Sequence, residues 1–163
     1  MIRKIKPKPG QESVWDYPRP PSIELVKDHI RIMFDNKIIF DGNSSFRILE
    51  TSHPPTYYLP LNAFERGLLI RTDKSSYCEF KGKAHYYHIK SGDRIVEFAA
   101  WGYDHPNIKY HLIKDHISIY ANKMDECFIS DEKVDAQEGD FYGGWITSKV
   151  VGPFKGGPGT LGW

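Results

Sequence analysis

The sequence predicts an all-β domain with minor α content: a sandwich or bent pair of antiparallel sheets carrying one or two short helices. Three observations lead there. Short stretches of alternating apolar and polar residues recur along the chain, parted by turn residues. Aromatic residues, which favour strands, make up 14% of the sequence as 10 Tyr, 9 Phe and 4 Trp. Helix signals are sparse, with LNAFERG at 61–67 the best short helix.

Taken in order, residues 1–22 hold Pro7, Pro9, Pro18, Pro20 and Pro21, and each proline keeps its predecessor out of the helical region. They read as an extended arm with Arg3, Lys4, Lys6 and Lys8, ahead of one domain over 23–163. HIRIMF and KIIF form a hairpin across Asp35-Asn36, a residue pair suited to a two-residue turn. Asp41-Gly42-Asn43 ends it, and SSFRILET has room for one irregular turn or short helix. His53-Pro54-Pro55 makes a rigid corner before the strand TYYL. LNAFERG offers Asn62 as a cap and Gly67 as a stop.

Four strands follow, LLIR, SSYCEF, KAHYYHI and RIVEFAAW, with turns at Asp73-Lys74, Lys81-Gly82 and Ser91-Gly92-Asp93. Residues 106–113 hold one further helical turn, HISIY is a strand, and ECFIS with KVD forms a hairpin across Asp131-Glu132. The glycine-rich end, with five separated aromatics, cannot be one regular element. FYGGWIT is expected to lie along a sheet and GPFKGGPGTLGW to wrap back over the domain, because that many exposed aromatics would leave a large apolar patch. LVKDHIRI (25–32) and LIKDHISI (112–119) match at six of eight positions. Related strands, one in each sheet, would explain the echo; so would coincidence between half-solvated strands.

Composition bounds the function. At 163 residues the chain is long enough for a real core without metal or disulfides. Twenty-two Lys+Arg against 21 Asp+Glu give a net charge of +1, so no global field draws it to nucleic acid or an anionic membrane. No RNP-like or helix-turn-helix pattern appears, and no apolar run is long enough to insert in a membrane. The start MIRKIKPKPG has no apolar segment of the signal-peptide kind. The chain reads as intracellular and cytoplasmic, with organelle import left open and Cys78 and Cys127 reduced.

The candidate chemistry centres on YCEFKGKAHYYH, 77–88. Cys78 lies close in sequence to Lys81 and Lys83, and a neighbouring cation favours the thiolate, making Cys78 the candidate nucleophile. Alternation also puts it on the face of Phe80, where a cysteine is a small core residue. Arg47, Glu50 and Lys81, with Tyr57 and Tyr58, are the polar groups able to converge on a ligand, or else to form half-buried ion pairs. Tyr57 and Tyr58 point to opposite faces, so at most one reaches a shared pocket. Trp101, after Ala99 and Ala100, leaves room for a ligand against its ring or packs in the core. No metal is expected: His85 and His88 fall on opposite strand faces, and neither CxxC nor HExxH spacing occurs. GPFKGGPGT lacks the order of a phosphate-binding loop, and no motif asks for a cofactor.

In order, ILETSHPPTYYLP, YCEFKGKAHYY, AAWGYDHP, ISIYANKMDE, FYGGWIT and GPFKGGPGTLGW resemble the domain-of-unknown-function family DUF427 over residues 14–163. The resemblance implies a β-tent fold like that of Mss4-like and cereblon ligand-binding domains, two antiparallel sheets meeting at an angle. Many β-tent proteins hold zinc through two CxxC knuckles, which this chain lacks. The family has carried a nucleotidyltransferase label, but GNSS at 42–45 is not followed by the paired acids that hold two metals.

Two functions from different classes remain. One is a domain binding an unknown small molecule in an aromatic-lined pocket between the sheets, as a binder or an enzyme. The other is a non-catalytic accessory subunit of a larger assembly, docked through arm residues 1–22, since ends of this composition fray unless tied down.

Overall fold

Short strands joined by tight turns build the computed structural model, which describes residues 1–163. The arm contributes β1 (Glu12–Ser13) and leads into β2 (Ser22–Val26). The first hairpin is β3 (Ile30–Phe34) and β4 (Lys37–Gly42), joined at Asp35 and Asn36 with φ of 55° and 57°, the left-handed pair such a turn requires. Then come β5 (Ser45–Leu49), β6 (Thr56–Pro60), β7 (Leu69–Cys78), β8 (Gly82–Ser91), β9 (Arg94–Gly102) and β10 (His116–Ile119). The chain closes through β11 (Glu126–Ile129), β12 (Glu132–Lys133), β13 (Asp135–Ala136), β14 (Trp145–Ile146) and β15 (Val150–Val151). The only helical pieces are 3-10 turns, including Leu61–Ala63 and Ile108–Ile113. None is long and apolar enough to cross a membrane.

A seven-stranded antiparallel sheet runs β2-β5-β6-β10-β9-β8-β7, and a four-stranded one runs β12-β11-β3-β4. Their facing sides bury the main core, where Ile30, Ile32 and Phe34 share one cluster with Leu59, Ile89, Ile117 and Ile119. The two segments of the internal echo therefore meet from opposite sheets: Ile30 and Ile32 on β3, Ile117 and Ile119 on β10. The other face of the large sheet is buried too, under a second cluster of Ile48, Tyr58, Tyr86, Trp101, Tyr103, Tyr110 and Ile113. Alternation makes both possible, with Tyr57 and Leu59 going to one core and Tyr58 to the other.

Four local expectations change. SSFRILET is a strand, because β5 pairs on both sides, with β2 and β6. LNAFERG gives only the Leu61–Ala63 turn, with Asn62 inside it. Its chain extends at Phe64, whose ring packs on Phe40 at 5.2 Å, and that burial outweighs helix propensity. LLIR and SSYC are one strand, β7, with a bulge where a turn was expected. There Thr72 Oγ1 donates to the Tyr86 carbonyl (2.8 Å) and accepts from the Lys74 N–H (3.1 Å), replacing the lost ladder bonds. The late hairpin turns at Ser130-Asp131, both at positive φ (47° and 68°).

Arm and tail hold each other. Glu12 and Ser13 pair in parallel with Val150 and Val151, and the Trp15 indole donates to the Pro153 carbonyl at 2.9 Å. Trp163 meets Trp15 edge-on at 5.4 Å. Arg47 fixes the arm from below, donating to both Glu12 carboxylate oxygens at 3.0 Å. The two ends thus contact each other and the sheet. Trp145 is 1% exposed in the main core and donates its indole N–H to the Ile119 carbonyl at 2.9 Å. Trp145→Ala should lower the unfolding free energy by about 3–5 kcal/mol in urea melts; a change below about 1 kcal/mol would remove the tail from the core's account.

Candidate functional site

The second cluster does not close completely. On the outer face of the large sheet it leaves a cavity of about 240 Å³, walled by Ile48, Tyr58, Ala84, Tyr86, Trp101 and Tyr103. The space is therefore not between the sheets, where pairing residues fill the main core. It lies under the corner at His53 and Pro54 and is flanked by Phe141 and Tyr142. Gly143 makes that flank possible: at φ +73° it sits so close to the Trp101 ring that any side chain there would collide with it.

Of the residues singled out from sequence, Glu50, Tyr58, Cys78, Lys81 and Trp101 line this one cavity. Arg47 and Tyr57 lie elsewhere. Arg47 is committed to Glu12 and to Glu24, which accepts from its Nε at 2.8 Å, while Tyr57 packs on Trp145 at 5.4 Å in the main core. His53, Tyr86, Tyr103 and Tyr142 escaped the sequence reading. Strand alternation alone would have paired Ala84 with Tyr86, but nothing local marks His53.

Lys81 is the unusual member. A lysine in a hairpin turn normally points to water, yet this one is 8% exposed. Three residues, Glu79 to Lys81, join Cys78 to Gly82, and Gly82 turns the chain at φ +108°. Asn107 then pins the turn, its side-chain amide donating to the Phe80 carbonyl (2.6 Å) and its backbone N–H to the Lys81 carbonyl (2.9 Å). The side chain is forced inward, with Nζ 5.9 Å from the Tyr103 ring centre. Burial opposes its charge, while negative charge on Tyr58 and Cys78 where they ionise, a hydrogen bond with Cys78 and the Glu50 carboxylate favour it, and its pKa lies above the ordinary lysine value. None of the chain's ion pairs includes it. Burial also raises the phenols of Tyr58 and Tyr103, which stay protonated on the wall.

Cys78 is half-buried against the apolar cluster and opens on the cavity, so it serves packing and remains reachable. Cys127 is buried in the main core, where burial pushes its thiol up to about 12. A bulge does fall between His85 and His88, yet they take separate partners: His85 lies 3.7 Å from Asp104, and His88 Nδ1 accepts the Phe98 N–H at 2.9 Å. No three His, Cys, Asp or Glu side chains gather as a metal-holding group.

A family model described as Domain of unknown function (DUF427) matches residues 22–130. The chain belongs to the DUF427 family. No curated protein matches it. The DUF427 span contains Glu50, His53, Tyr58, Cys78, Lys81 and Trp101, whereas Phe141 and Tyr142 lie beyond it.

In this DUF427 protein His53 is a probe of the site's dryness. Burial, then the charges of Lys155, Arg19 and Lys81, push its pKa from 6.5 to about 3. The unfolded chain binds a proton at His53 below about 6.5 that the fold refuses, so stability is full above that pH and falls as the pH drops toward 3. Urea melts from pH 7 to pH 5 should show a loss approaching about 1.4 kcal/mol per pH unit. His53→Phe should flatten that slope, and an unchanged slope would place the titrating group elsewhere.

Proposed function

We propose that the protein binds a small, largely apolar molecule carrying an anionic group, seated in the cavity with its charge on Lys81. The reading rests on one observation: a buried lysine ammonium on the cavity wall that makes no ion pair in the fold. A buried charge without a partner is costly, and the cost is removed when a ligand brings the opposite charge. Tyr58 and Trp101 offer the apolar walls, and the cavity's 240 Å³ falls under the roughly 300–1,000 Å³ usual for drug-sized ligands, which favours a compact one. The Cys78 thiol beside the ammonium is the candidate nucleophile should the ligand be a substrate.

Benzoate and benzyl alcohol, alike in shape and different in charge, test this. Benzoate should raise the melting temperature in a concentration-dependent way and benzyl alcohol should not, since only binding to the folded state stabilises it. Lys81→Met should abolish the benzoate effect, and equal shifts in wild type and variant would refute the reading. Benzoate should also slow iodoacetamide labelling of Cys78, with Cys127 unlabelled in the native protein.

A further inference from the structure

Gln137 lies outside the DUF427 span, is 3% exposed, and reaches the cavity's corner residue His53. Its amide has one orientation only. Oε1 accepts the Gly144 N–H at 2.8 Å, and Nε2 donates to the Lys155 carbonyl at 2.7 Å. A backbone N–H cannot accept and a carbonyl cannot donate, so the oxygen and nitrogen are assigned by their partners. The second Nε2 hydrogen therefore faces His53 Nδ1 at 3.3 Å, making Nδ1 an acceptor. The neutral ring must carry its proton on Nε2. That N–H has Glu50 Oε2 at 3.7 Å, too far for a direct hydrogen bond. Tyr142 holds the ring edge-on at 4.6 Å.

Two residues lining the cavity thus carry donors, Lys81 with its ammonium and His53 with its Nε2–H. The charged residues on the cavity wall are one cation, Lys81, and two carboxylates, Glu50 and the exposed Glu79, while Arg19 and Lys155 act on His53 from outside it. Arg19 lies 3.5 Å from Glu50, and Lys155 donates to the Trp163 backbone oxygen at 3.0 Å, so Lys81 is the cation on the cavity wall that makes no ion pair. One free positive charge, one neutral donor and a nearby carboxylate suit a monoanion with two acceptor oxygens. A phosphate ester, near −2 at neutral pH, meets Glu50 repulsion without a second cation on the cavity wall.

We infer that the site selects a monocarboxylate over a phosphate, and that Gln137 is the positioning residue that sets this by holding His53 as a neutral donor. The inference rests on the anion-binding reading above and narrows it to one substrate class.

Calorimetric titration of the full chain with benzoate and phenyl phosphate tests it, alongside histidine-ring nitrogen NMR. Benzoate should bind at least about tenfold tighter, the size of an effect worth one unfavourable charge contact. NMR should show His53 neutral at pH 7 and protonated on Nε2. Gln137→Glu offers Nδ1 a carboxylate acceptor, so His53 should take up a second proton and the tenfold preference should narrow or reverse. Gln137→Met removes the amide donor while filling similar space, and should free the tautomer without charging the ring. A wild-type His53 protonated on Nδ1, or charged at pH 7, overturns the inference without any variant. Equal binding of both probes that still depends on Lys81 overturns the selectivity and leaves the anion site standing. Binding of neither, or binding indifferent to Lys81→Met, overturns the anion site itself.

Discussion

The large sheet has to bury both of its faces, and the rest of the structure follows from that requirement. Along β6, Tyr57 and Leu59 enter the main core while Tyr58 enters the second cluster. One face is met by the four-stranded sheet, a regular partner that pairs isoleucine with isoleucine across the gap. The other face has no second sheet. It is covered by a 3-10 segment carrying Tyr110 and Ile113, by the corner at His53-Pro54, and by the glycine-rich segment near Phe141. Irregular cover cannot interdigitate with a sheet as closely as another sheet can. The cavity is the remainder of that mismatch, walled by Tyr58, Tyr86, Trp101 and Tyr103.

Placement of charge follows from the same cover. Lys81 would be a solvated turn lysine if Asn107 did not clamp the β7–β8 turn against the 3-10 segment. His53 would be an ordinary titrating histidine if Gln137, Tyr142 and Pro54 did not enclose it. Both side chains are desolvated by groups distant in sequence, and desolvation separates their behaviour: Lys81 has phenols, a thiol and a carboxylate near it and keeps its proton, while His53 faces three cations and refuses one. The arm takes part indirectly. Arg47 ties Glu12 to the sheet, Trp15 meets the tail, and the tail's Lys155 carbonyl orients Gln137.

Much of the fold could be read from residue patterns. Alternation placed the strands TYYL, KAHYYHI, RIVEFAAW and HISIY and divided Tyr57 from Tyr58, because side-chain direction in a strand is a local property of period two, and residue type placed the Asp35-Asn36 turn. Local reading failed where a segment's fate hung on remote partners. SSFRILET became β5 by pairing on both sides, LNAFERG lost its helix to the Phe64–Phe40 contact, and Arg47 was drawn off to the arm.

For the site, the sequence by itself determined which chemistry was on hand: a cysteine, a lysine and a tryptophan in or beside strands rich in tyrosine, and a glutamate, Glu50, earlier in the chain. Tertiary structure decided which of these share a space, on which face of the sheet, and in which protonation state. The physical reason is that strand alternation needs only neighbours in the chain, whereas burial, counter-ions and the tautomer of His53 depend on Asn107, Gln137 and Lys155, groups that meet the site only once both faces of the sheet are covered.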